Sequence, residues 1–141
     1  QDYHAAIQSI KSSLKNNCFP VPDTVHQIIQ GDRLKIAYSL FPTCSDAPQN
    51  GTLEDLAYSL LRNTDYPTAH LTEVNEFLEK IESLNNKKFA RRHKNKLHTC
   101  FSINDDYVTL KIGEAALAGA FDFSSTLLSP LKKLIFNLVS E

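Results

Sequence analysis

The sequence predicts a mainly helical fold with one small β-hairpin, an α+β arrangement in a single domain over residues 1–141. Three observations predict it. Apolar residues recur at helical spacing along most of the chain, and the period shortens to two in one stretch. The hydrophobic fraction is 42% against 22% charged, the balance of an ordinary globular domain. A chain of 141 residues is also long enough for one core.

A first helix is expected from about Tyr3 to Lys15, where Ile7, Ile10 and Leu14 share a side. Asn16 and Asn17 break it, and Pro20 and Pro22 force extended backbone around Val21. Asp23 is a good cap for a short helical stretch through Val25, Ile28 and Ile29, which Gly31-Asp32 weakens or ends. Leu34, Ile36, Ala37, Leu40 and Phe41 predict a further helical face that stops at Pro42. Residues 45–51 form a loop rich in Asp, Pro, Asn and Gly. Thr52 caps the next helix, which buries Leu53, Leu56, Ala57, Leu60 and Leu61 and runs to Arg62. Leu71, Val74, Phe77, Leu78, Ile81 and Leu84 follow helical spacing most closely of all.

After the polar, basic stretch Asn85–Lys96 the period changes. Leu97, Thr99, Phe101 and Ile103 alternate with His98, Cys100 and Ser102. Asn104-Asp105-Asp106 reads as a turn, and Val108, Leu110 and Ile112 alternate in their turn. This predicts a β-hairpin over Leu97–Ile112, closed by Gly113. Glu114–Phe121 is Ala-rich and expected to be helical. Ser129 caps a last helix with Pro130 at its first position and an apolar stripe of Leu131, Leu134, Ile135 and Leu138. Three helices followed by a hairpin is the order of a winged helix, a helix-turn-helix variant.

The net charge is −1, so no whole-domain field draws the chain onto nucleic acid or an anionic membrane. No apolar run approaches the roughly 20 residues of a membrane span. The chain lacks Met, at position 1 as elsewhere, and is expected to be a C-terminal fragment of a longer protein. Cys18, Cys44 and Cys100 are far apart and form no CxxC pair, as expected of reduced thiols inside a cell. Asn50-Gly51-Thr52 reads as a turn rather than a glycosylation site.

No enzyme chemistry is expected. His4, His26, His70, His93 and His98 make no HExxH or zinc pattern, and the four Gly residues form no phosphate-cradling loop. His98 and Cys100 would share a strand face, but no third ligand accompanies them. No metal, cofactor or small-molecule substrate is therefore expected.

Two surfaces remain as candidates. The best-defined helix carries Glu73, Glu76, Glu79 and Glu82, expected along one side, opposite much of the apolar face; set beside phosphates they would repel. Lys87, Lys88, Arg91, Arg92, Lys94 and Lys96 follow directly, a candidate site for a phosphate backbone or an acidic protein surface. Near the C-terminus, Phe123, Leu131, Leu134, Ile135 and Leu138 belong to more apolar surface than one narrow stripe needs. They are the expected interface of a homodimer.

The long acidic helix, the basic connection and the hairpin with its Asn104-Asp105-Asp106 turn resemble the C-terminal winged-helix domain of the family that joins the largest origin-recognition-complex subunit to the silent information regulator protein three of budding yeast. Ser140-Glu141 reads like a natural chain end, as expected of that domain's C-terminal placement. The resemblance implies a homodimerisation module in the nucleus, supporting the assembly and spreading of silent chromatin with other chromatin proteins. In the replication branch it implies a DNA-binding winged helix, which here would use the basic segment 87–96.

Overall fold

The structure, a computed structural model, describes residues 2–140. The fold is mainly helical with one two-stranded antiparallel sheet. Its contacts divide the chain into two compact units, Gln1–Leu53 with Ser124–Glu141, and Glu54–Phe123. The chain-end reading falls partly on Glu141, which lies outside the described residues.

In the first unit, α1 (Tyr3–Asn16) begins where the Asp2 carboxylate accepts the His4 N–H at 2.9 Å. Its inner side, Tyr3, Ala6, Ile7 and Ile10, packs on buried Val25, Tyr38 and Leu40. β1 (Ile29–Gln30) pairs antiparallel with β2 (Lys35–Ile36), Ile29 opposite Ile36. At the turn, the Gly31 N–H donates to the Leu34 carbonyl at 2.8 Å. A Cβ on Gly31 would lie 3.1 Å from Pro20 Cγ, so glycine is the residue that fits this approach. The helix expected over Leu34–Phe41 is thus replaced by a strand and extended chain. Tyr38 and Leu40 are buried two residues apart, a spacing that suits strand-like backbone rather than a helix.

The same unit ends in a short 3-10 helix (Thr126–Leu128) and α6 (Ser129–Val139), with Pro130 in the first turn. Pro130 suits that place because the first helical N–H groups have no partner within the helix.

The second unit holds α2 (Leu53–Ser59) from Glu54 onward, with α3 (Thr68–Leu84), α4 (Arg92–Ser102) and α5 (Ile112–Leu117). α3 and α4 pack on each other. Phe101 is the aromatic hub, its ring centroid 6.5 Å from Tyr107 and 6.2 Å from Phe121. Burying a side chain of that size stabilises by roughly 1.5–3 kcal/mol. Leu61 and Phe121 form an isolated antiparallel bridge, and Gly119 at φ +92° turns the chain just before it.

The hairpin expected over Leu97–Ile112 does not form. Residues 97–102 belong to α4, and turns follow. Leu97, Cys100 and Phe101 are the buried residues of α4, at positions i, i+3 and i+4. The Asn104 side chain accepts the Asp106 N–H at 2.9 Å, so the expected turn forms, beyond the end of a helix rather than between strands.

Candidate functional site

Glu82 lies at the centre of the charged region. It is only 3% exposed, on the same side of α3 as buried Val74 and Leu78. The glutamate row therefore does not stay on one side. At about 100° per residue, nine residues from Glu73 to Glu82 make about two and a half turns, which brings the last carboxylate round to the core.

The end of α3 explains how Glu82 is met. Asn86 takes φ +48°, a conformation asparagine tolerates, and the Lys87 N–H donates back to the Glu82 carbonyl at 3.0 Å. This tight reversal returns the chain over its own last turn. The Phe89 N–H reaches the Glu82 carboxylate at 2.8 Å, Lys88 Nζ at 3.2 Å, and Arg92 Nη1 donates as well. The Arg92 fork also reaches Glu79, at 3.3 Å. The Phe89 N–H, then Lys88 and Arg92, hold the Glu82 carboxyl below its usual range, against the opposing effect of burial.

The basic residues are mostly engaged inside the unit. Arg91, Arg92, His93 and Lys94 crowd the start of α4, where the helix dipole disfavours positive charge. Glu82 and Glu79 meet Arg92, and Glu54 meets Lys94 at 3.4 Å. Lys96 Nζ stands 3.6 Å from the centre of the Tyr58 ring, and burial lowers its pKa. Lys87 and Arg91 are exposed and pair with no carboxylate among the described residues.

His98 and Cys100 do not share a face. Two residues apart on a helix they point about 200° apart; His98 is exposed and Cys100 fully buried. Desolvation raises the Cys100 thiol to about 11, so it is a poor nucleophile at neutral pH. Among the described residues no three His, Cys, Asp or Glu side chains gather as a metal site.

The C-terminal candidates divide. Leu134 is 6% exposed and belongs to the buried core; Leu131 and Leu138 are half-buried. Ile135 is 52% exposed, and Phe123, in the other unit, is exposed as well. Phe136 and Val139 are part of the apolar tail in the sequence but were not among the expected interface residues; they are 69% and 75% exposed. Lys132, Ile135, Phe136 and Val139 fall at i, i+3, i+4 and i+7 and so share one side of α6. That spacing was open to view in the sequence, but the buried stripe was assigned first.

A second apolar surface lies in the helical unit. Val74 and Phe77 of α3 and Ile103 at the end of α4 line a groove of 690 Å³, together with His70, Glu73, Thr99 and Ser102. Phe77 and Ile103 are each about half exposed. The described residues thus include two apolar surfaces and a basic segment in which Lys88, Arg92 and Lys94 already meet carboxylates.

A family model described as "Protein of unknown function (DUF3226)" matches residues 1–140. The chain belongs to this family. No curated protein and no solved structure matches it. No described helix is long and apolar enough to cross a membrane.

Proposed function

We propose that the chain is a non-enzymatic protein–protein interaction module that associates with a second copy of itself through the outer side of α6. One observation carries this reading: Ile135, Phe136 and Val139 stand in water along one side of a helix whose Leu134 is held in the core. Each group of Leu or Phe size that leaves water contributes roughly 1.5–3 kcal/mol before the cost of association is met. Sedimentation of the chain across micromolar concentrations tests it. The expected result is self-association that weakens with Phe136→Asp while the helical circular dichroism is kept. A single monomeric species throughout overturns it.

The finer reading is a winged-helix relative of the origin-recognition and silencing family, acting in the nucleus on silent chromatin with other chromatin proteins. The long α3 and the basic connection after it support that reading. The missing hairpin at Leu97–Ile112 weighs against its fold. A fluorescently tagged chain is expected to gather in the nucleus, and exclusion from it ends this reading.

DNA held by the segment 87–96 is the alternative, supported by the exposed Lys87 and Arg91. It predicts salt-sensitive duplex binding that weakens when both become Ala. Absence of binding at low salt removes it.

A further inference from the structure

We infer that the α6 stripe docks in the α3–α4 groove of a second copy of the chain. The inference rests on the self-association proposed above and names the surface it uses. Two features point to this pairing.

The first is shape class. Ile135, Phe136 and Val139 have the i, i+1, i+4 spacing of anchors by which an amphipathic helix fills an apolar groove. The groove supplies the floor for it in Val74, Phe77 and Ile103. A symmetric contact of α6 with α6 would cover the stripe and leave exposed Phe77 and Ile103 in water. Stripe in groove covers both.

The second is charge. Residues 129–139 contain Lys132 and Lys133 and no acid. Lys132 stands in line with the stripe. The groove is lined in part by exposed Glu73, and Glu76 is exposed about one turn further along α3. Docking α6 there sets a carboxylate opposite Lys132. Docking α6 on α6 sets none, since α6 carries none. Complementary charge at the edge of an apolar contact fixes its partner and register. Two copies that exchange their helices reciprocally close a dimer, whereas one-way docking adds further copies.

The test uses two variants of the whole chain, each altered at an exposed residue. Phe136→Asp spoils the stripe and leaves the groove; Phe77→Asp spoils the groove and leaves the stripe. By sedimentation, each alone is expected to associate at least roughly tenfold more weakly than the unaltered chain, the effect of losing a central anchor. Mixed, they are expected to form a 1:1 complex, because one still supplies a stripe and the other a groove. Glu73→Lys mixed with Lys132→Glu is expected to regain affinity that each loses alone.

Phe77→Asp that associates as tightly as the unaltered chain overturns the groove while leaving self-association standing. Two weakened variants that fail to complement each other, with no recovery in the charge exchange, overturn it too. An unaltered chain that stays monomeric removes the self-association first and this inference with it.

Discussion

α3 and α6 are both amphipathic, yet they use their side chains in opposite ways. α3 is rich in glutamate and turns Glu82 inward, where a backbone N–H, Lys88 and Arg92 meet it. α6 carries no acid, keeps Leu134 in the core and leaves three large apolar groups in water. Much of the charge at the α3–α4 corner is answered within the unit, Lys87 and Arg91 excepted, while the apolar surface on the outer side of α6 stands in water. A cation already paired with its own chain has less to offer a phosphate. An apolar group still in water has its transfer free energy left to release. The surface richest in charge is thus largely structural, and the working surface is sought where the chain is greasy.

The sharpest way to break this contrast lies inside α6. Leu134→Ala is expected to destabilise the chain by about 2–5 kcal/mol, because it opens a cavity in the core. Phe136→Ala is expected to change stability by no more than about 0.5 kcal/mol. Urea unfolding measures both; equal costs would mean the two sides of α6 are not distinct.

The next largest effect belongs to Glu82→Gln. Glutamine still accepts the Phe89 N–H but no longer balances Lys88 and Arg92, so a smaller drop in melting temperature than for Leu134→Ala is expected. The pH dependence identifies the cause. The folded carboxyl titrates below its unfolded value of 4.5, so it stabilises fully above that value and loses its contribution as pH falls through the folded pKa. Glu82→Gln is expected to flatten that acid limb in thermal scans between neutral pH and pH 3. An unchanged limb would assign it to other carboxylates.

The same corner explains what the sequence made legible. α1, α3 and α6 were readable because their apolar positions repeat over two or more turns. The stretch from Leu97 was not. Leu97 and Phe101 fit a strand and a helix equally, and the choice falls on Thr99 or Cys100 as the inward residue between them. Cys100 is the buried one, but cysteine and threonine side chains differ too little in size to decide this locally. Around Leu34 the ambiguity ran the other way: Ile36, Tyr38 and Leu40 carried a period of two beneath an apparent helical face. The basic segment was visible as charge, but its partners were not. Glu54 is distant in sequence, and Glu82 was assigned to the solvent side until its drift around α3 is counted. The α6 stripe was visible in part, since spacing alone does not say which of two apolar sides meets the core.

A smaller effect is expected at Lys96. Lys96→Met keeps much of the aliphatic stem and removes the ammonium over Tyr58, so a loss of about 0.5–1 kcal/mol is expected in denaturant unfolding. A gain in stability would mean that desolvating the ammonium outweighs its attraction to the ring.

The last contrast separates engaged cations from exposed ones, whose effects are expected to be the smallest. Arg92→Ala removes donors from buried Glu82 and from Glu79, and so should lower the melting temperature clearly. Lys87→Ala and Arg91→Ala touch no carboxylate among the described residues and should each stay within about 0.5 kcal/mol of the unaltered chain. If Arg91→Ala destabilised as much as Arg92→Ala, the division between structural and spare charge would fail. If Lys87→Ala and Arg91→Ala together stabilised the chain, the crowding of like charge at the start of α4 would be the stronger term, and these two residues would be kept at a cost to the fold. That outcome would favour a partner for them, an acidic surface or a duplex, because a destabilising charge with no internal use needs another reason to stand there.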